Sequence, residues 1–200
     1  MSMAPAPERT QAARFEALYA ASPDPWGYTS SQYEREKYAA TLAAVGPGSY
    51  ERGLEVGCSI GVFTAMLAPR CATLVAMDFS ARALELARTR VARLPDVELV
   101  QGAFPEQAPT GSWNLIVCSE VLYYLDRATF EQALGWLRAQ LKQGARVVAV
   151  SWRGLGTSEP LHGDDVHDIL AAQLAGTHTL DARTAGYRLD RFDGPWPSGS

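Results

Sequence analysis

From Tyr50 onward the chain alternates short apolar runs with amphipathic stretches, and this pattern constrains the fold more than any other feature. It predicts strands at 52–56, 72–77, 97–101, 113–119 and 146–151, with helices near 62–68, 81–94 and 128–141 between them. Runs such as Leu115-Ile-Val-Cys118 and Val147-Val-Ala-Val150 show no polar alternation, so both faces must be covered. Strands that alternate with helices pack as a parallel, doubly wound α/β sheet with right-handed crossovers. A further helix is expected at 164–175. Two late runs, 178–181 and 187–192, are expected to pair as a C-terminal antiparallel hairpin, giving a mostly parallel seven-stranded sheet. Upstream, helices at 10–21 and 31–45 flank a turn broken by Pro23 and Pro25. Ser31-Gln-Tyr-Glu34 has the form of a capping box, and Gly46-Pro47-Gly48 is a stop. The expected organisation is an N-terminal helical appendage or lid at 1–49, with 1–8 mobile, an α/β domain at 50–193 and a flexible tail at 194–200.

Two hundred residues suffice for one such domain. With 18 basic and 22 acidic side chains, no positive field is available for a nucleic-acid backbone. The longest charge-free apolar run, 59–69, is too short to span a bilayer, and the N-terminus lacks a secretory pattern. Cys58, Cys71 and Cys118 are odd in number and lie in apolar surroundings. They are expected as buried thiols of a cytoplasmic chain, not as disulfides or a zinc cage. With histidines only at 162, 167 and 178, no metal site is expected.

In doubly wound sheets the ligand sits beyond the carboxyl ends of the strands, where strand order reverses. The first strand ends in Glu55-Val-Gly57-Cys58-Ser59-Ile-Gly61. Two glycines four apart let the backbone turn and let a ligand lie against it. The dinucleotide fingerprint Gly-x-Gly-x-x-Gly is absent, since position 59 is Ser and no third glycine opens the helix, and the Glu55 carboxylate suits a cationic ligand better than a pyrophosphate. The second strand ends in Asp78, followed by Phe79. This acid is placed either to accept hydrogen bonds from ribose hydroxyls or to cap the next helix. Taken with the glycine loop, the ribose reading is favoured, and the expected ligand is an adenosine derivative.

Glu55-x-Gly57-x-x-x-Gly61, Asp78 and Trp113-Asn-Leu-Ile-Val-Cys-Ser119-Glu120 resemble the S-adenosylmethionine-dependent methyltransferases with a seven-stranded Rossmann-like sheet. A narrower set is similar to the nodulation protein S group. It comprises Asp24-Pro-Trp26, Tyr33-Glu34, Lys37-Tyr38, Gly57-Cys-Ser-Ile-Gly61, Leu67-Ala-Pro-Arg-Cys71, Ser119-Glu120, Tyr123-Tyr124, Trp152-Arg153, His162-Gly-Asp164 and Val166-His167. That resemblance implies a methyltransferase acting on the amine of an amino sugar or a chitooligosaccharide-like acceptor. The alternatives are O- or C-methylation in secondary metabolism, or cofactor binding without turnover. The sequence departs from the wider family at Ser59, where a third glycine is common. It also has no acid in Gln101-Gly102-Ala103-Phe104 to hold the adenine amino group, so backbone near Ala103 and the Phe104 ring are the adenine candidates.

Methyl transfer from a sulfonium is an in-line displacement that needs positioning and water exclusion. An amine must attack in its neutral form, so a carboxylate or imidazole that takes a proton helps. Glu120, His162 and His167 are the catalytic candidates. Glu120 would orient the acceptor or the methionine ammonium, or else cap the following turn. Asp164-x-x-His167 fits one helix face, with Asp164 or Asp165 as the alternative N-cap. Tyr28 and Tyr33 are lid candidates, with Trp26 assigned to packing. One of Tyr123 and Tyr124 would stack on the acceptor while the other is core. Arg35, Lys37 and Arg153 would anchor a carboxylate, or else be solvated.

Overall fold

The computed structural model describes residues 7–154 and 159–195. Two helices, α1 (Pro7–Ala21) and α2 (Gln32–Val45), precede the sheet. There follow β1 (Tyr50–Val56), α3 (Val62–Leu67), β2 (Cys71–Asp78), α4 (Ala81–Val91), β3 (Val97–Gln101), β4 (Leu115–Ser119) and α5 (Arg127–Lys142). The chain continues through β5 (Arg146–Trp152), α6 (Gly163–Gln173), β6 (His178–Arg183) and β7 (Tyr187–Asp193). The strands form one seven-stranded sheet in the order β3-β2-β1-β4-β5-β7-β6. The first five pair in parallel, while β7 runs antiparallel to both β5 and β6. Strand order reverses between β1 and β4, which opens a crevice at their carboxyl ends.

The uninterrupted apolar runs are buried on both faces, as their composition demands. Leu54, Val56, Ile116, Cys118, Val147 and Ala149 face Phe130, Leu134, Leu137 and Leu170 of α5 and α6. Their alternates Leu115, Val117, Val148 and Val150 face Tyr38, Val45, Phe63 and Leu67 of α2 and α3. Each such fully buried side chain contributes about 1.5–3 kcal/mol of transfer free energy.

Local signals set the helix ends. Ser31 accepts from Glu34 N, Ser80 from Ala83 N and Asp126 from Thr129 N, while Gly46 closes α2 at φ 91°. The capping box at Ser31 is only half made, because the Glu34 carboxylate turns to Lys37 instead. Several boundaries depart from expectation. Helix α1 starts at Pro7, within the stretch expected to be mobile; residues 1–6 and 196–200 lie outside the described residues. Helix α6 begins after His162, which occupies the N-cap position in place of Asp164 or Asp165. The three cysteines are free, Cys58 and Cys118 buried and Cys71 half-buried. Among the described residues no helix is long and apolar enough to cross a membrane.

Candidate functional site

The loop after β1 is pinned to the end of β2. Gly57 N and Cys58 N both donate to Met77 O, at 2.9 and 3.0 Å. Gly57 has φ +80°, and a Cβ there would stand 3.0 Å from Ser119 O and 3.2 Å from Val121 Cβ. The loop therefore needs glycine both for its conformation and for the space. Ser59, at φ 49°, donates its backbone N–H to Asp78 Oδ2 at 2.8 Å. Asp78 Oδ1 accepts from Ser80 N at 2.9 Å, so this carboxylate braces the turn that leads into α4, whose cap is Ser80 itself. Burial pushes Asp78 up to about 6, against the pull of its backbone hydrogen bonds to Ser80 and Ser59. Those amides do not exhaust the acceptor capacity of the carboxylate, which leaves room for a hydroxyl of a diol.

Beyond this cradle lies a cavity of about 540 Å³, within the range of small-molecule sites. Gly57, Ser59, Met77, Asp78 and Phe79 form one side, and Ala103 and Phe104 extend it past β3. Helix α1 covers the opening. Tyr19 Oη lies 2.5 Å from Ser59 Oγ, Gln11 donates to Tyr124 O at 2.8 Å, and the Phe15 ring meets Phe79 and Tyr124 edge-on. Trp26, Tyr28, Tyr33 and Trp152 supply more aromatic wall. Burial holds the Tyr19, Tyr28 and Tyr123 phenols well above their ordinary range, so they act as neutral hydroxyls.

Beside the Gly57 loop, just past the adjoining end of β4, stands Glu120, at φ 56°. Its Oε1 accepts from Lys37 Nζ at 2.7 Å, and its Oε2 accepts from Tyr123 Oη at 2.7 Å and Trp152 N at 2.8 Å. Lys37 also donates to Glu34 Oε1 at 3.1 Å. Burial raises Glu34 above the usual carboxylate range, and the Lys37 charge opposes that rise. Glu34, Lys37 and Glu120 all line the cavity.

A family model described as nodulation protein S (NodS) matches residues 14–154, most of the chain. The chain belongs to the NodS family. The nodulation protein S of Rhizobium tropici is 34% identical over 135 residues, covering 66% of this chain and 57% of that protein. That of Bradyrhizobium diazoefficiens is 38% identical over 103 residues, covering 51% and 49%. The chain thus spans about half the length of the curated relatives it matches. Among solved structures, a candidate methyltransferase from Pseudomonas syringae is 37% identical with a TM-score of 0.71, covering 82% of this chain and 99% of that one. The N-methyltransferase NodS from Bradyrhizobium japonicum WM9, crystallised with S-adenosyl-L-homocysteine, is 25% identical with a TM-score of 0.76, covering 92% and 98%.

For this NodS-family chain the structure brings together Gly57, Ser59, Asp78, Phe79, Ala103, Phe104, Ser119, Glu120, Tyr28, Tyr33, Tyr123 and Tyr124 around one cavity. It leaves other candidates outside that cavity. Glu55 is buried beneath the loop, beside a small adjoining recess, and burial pushes it up to about 7. Cys58 packs with Ala76 and Leu84. Gly61 serves helix packing, since a Cβ there would meet Ala87 at 3.1 Å. His162 is exposed. His167 is fully buried, with Nδ1 hydrogen-bonded to Asp190 on β7, so it ties α6 to the sheet. Arg153 is held by Asp164 and by Thr184 O, which separates Asp164 from His167 although both lie on α6. Ala103 N is already bonded to Gln107 Oε1 at 2.8 Å.

Two side chains carry more than their sequence assignment. Lys37, read as an anchor or a solvated charge, is 2% exposed and part of the site. Trp26, assigned to packing, packs against the Phe15, Tyr19 and Tyr28 rings and also lines the cavity. Glu34, Phe15 and Tyr19 were not singled out for the site. The missed signal lies in phase: Glu34 and Lys37 fall on the same helical stripe as Thr41, Ala44 and Val45, the face that α2 buries.

Proposed function

We propose that this chain is an S-adenosylmethionine-dependent methyltransferase that methylates an amine nitrogen, with amino sugars the first acceptors to try. The observation that carries this reading is that the Gly57–Asp78 cradle and the neighbouring Glu120 carboxylate line one aromatic cavity. The cradle fits an adenosyl ligand: a tight glycine loop packed against the end of β4, and a carboxylate with acceptor capacity to spare at the end of β2. Gly57, Ser59, Asp78 and Phe79 would hold the nucleoside, with Phe104 beside it. When bound, the cofactor supplies a methyl group activated by its sulfonium. The Bradyrhizobium japonicum relative is an N-methyltransferase crystallised with S-adenosylhomocysteine, which supports both halves of the proposal.

The chain's own residues then have three tasks. Phe15, Tyr19 and Trp26 close the cavity against water, which strengthens every polar contact inside it. Tyr33 and Trp152 give the acceptor a face to lie against. Glu120 accepts the N–H of an incoming ammonium and takes its proton, leaving the lone pair that attack requires.

Calorimetry with S-adenosylhomocysteine and mass spectrometry of products from paired amine and hydroxyl acceptors test this. Micromolar binding with methylated amine is the expected result. Absence of binding refutes the cradle, and methylation confined to hydroxyl acceptors refutes the amine.

A further inference from the structure

Three donors from three parts of the fold converge on the Glu120 carboxylate. Tyr123 and the Trp152 backbone both address Oε2, while the Oε1 partner is Lys37. With three of about four lone-pair sites engaged, one remains for an acceptor. Lys37 reaches Glu120 from α2, a sequence separation of 83 residues, and it is only 2% exposed. Its ammonium lies between Glu120 and Glu34 and over the Tyr33 ring, 5.2 Å from the centroid. Burying a lysine in this way is costly, and an apolar side chain would fill the same stripe of α2 without that cost. Glu120 itself holds φ 56°, a region that glutamate seldom enters and that recurs where backbone is fixed for function.

We propose that Lys37 is a positioning residue for the transfer: from between Glu34 and Glu120 it turns the Glu120 carboxylate into the cavity and keeps that carboxylate free of a proton shared with Glu34. This rests on the amine reading above. In the step it serves, an acceptor R–NH3+ gives one N–H proton to Glu120. The bonding pair stays on nitrogen as the attacking lone pair, and Glu120 becomes a carboxylic acid that later returns its proton to water. Without Lys37, Glu34 and Glu120 are two like charges on one buried rim, and the pair binds a proton that blocks the step. Tyr33, Tyr38 and Tyr123 face the pair as neutral rings and hydroxyls and offer no replacement charge.

The test compares Lys37→Met and Glu34→Gln with the wild type by two readouts. In protein labelled with 13C at the glutamate side-chain carboxyl, with no acceptor present, Lys37→Met is expected to show one carboxyl titration displaced to higher pH than any in the same pair of the wild type. With D-glucosamine as the amine probe, the acid limb of kcat/KM is expected to move up by about one pH unit in Lys37→Met, with a roughly tenfold loss at pH 7. In Glu34→Gln the limb moves down instead. Affinity for S-adenosylhomocysteine stays within about twofold in both, which a general loss of structure would not allow. A folded Lys37→Met with an unchanged carboxyl titration overturns the proposal. If Lys37→Met does not fold, an unmoved limb in Glu34→Gln overturns it. A wild-type protein that binds S-adenosylhomocysteine yet methylates no amine defeats the amine reading separately, and the carboxyl titration still decides the role of Lys37.

Discussion

Replacing Glu55 by Gln is expected to stabilise the protein at alkaline pH and to change little in acid. Glu55 is 1% exposed on β1, and its Oε2 has no hydrogen-bond partner. Burial is the main cause that pushes its carboxyl from the ordinary 4.5 up to about 7; the Thr64 hydroxyl works against that push and the Asp78 charge works with it. The folded state therefore holds this proton more tightly than the unfolded chain. Stability from this group is complete below about pH 4.5 and is lost as pH rises through about 7. The gap between 4.5 and 7, at about 1.4 kcal/mol per pH unit, sets the loss at about 3 kcal/mol.

Glutamine cannot ionise, so Glu55→Gln removes that slope. Urea unfolding of both proteins from about pH 5 to about pH 9 measures it. The stability difference is expected to grow from under about 1 kcal/mol at the acid end to about 3 kcal/mol in favour of the variant, with an unchanged m-value. Asp78, also raised by burial, titrates in both proteins and largely cancels in the difference. A difference that is flat with pH, or a variant less stable at pH 8, refutes the argument that Glu55 is held as a desolvated carboxyl. The wider point is that the chain tolerates a costly acid directly beneath the cradle, and such tolerance is concentrated where function requires it.

Three other outcomes follow from the geometry. Asp78→Asn keeps the shape of the side chain but loses the charged acceptor, so affinity for S-adenosylhomocysteine by calorimetry is expected to fall about 10- to 100-fold. Gly57→Ala places a Cβ 3.0 Å from Ser119 O at φ +80°, which costs about 1–2 kcal/mol of backbone strain and pushes the loop off the end of β4; a lower Tm together with weakened S-adenosylhomocysteine binding is expected. His162→Ala is expected to leave kcat/KM for an amine within about twofold of wild type. His167→Ala, in contrast, is expected to lower unfolding free energy by about 2–3 kcal/mol, because it strips a buried partner from Asp190, while the folded fraction retains its activity.

The sheet was legible because its signal is not subtle. An apolar run without polar alternation has to be covered on both sides, and helices of matching period lay between the runs to cover it. Boundaries were less legible where a side chain substitutes for the ladder. The fourth strand was expected from Trp113 but begins at Leu115. Asn114 Oδ1 takes the Arg52 N–H at 3.0 Å, and the Arg52 guanidinium lies 4.0 Å over the Trp113 ring. These contacts join distant stretches of chain and leave no mark on local periodicity.

The cradle was legible for a related reason: its residues sit at strand ends, and the topology alone carries strand ends of one direction to one edge. The catalytic candidates after β5 had no such guarantee. The spacing of Asp164 and His167 on one helix was read correctly, but spacing within a helix does not say which neighbour that helix meets. Because β7 returns antiparallel beside β5, α6 is laid against a strand that offers Asp190, and His167 is spent on that buried contact. Lys37 illustrates the converse. A charge on a helix is solvated by default, yet this one shares a stripe with Thr41, Ala44 and Val45, and a charge in phase with a buried face must find a partner or leave the face. The partner it finds is Glu120, on an element far along the chain. An in-phase charge is therefore a sequence signal for a buried ion pair, but only the fold names the other half.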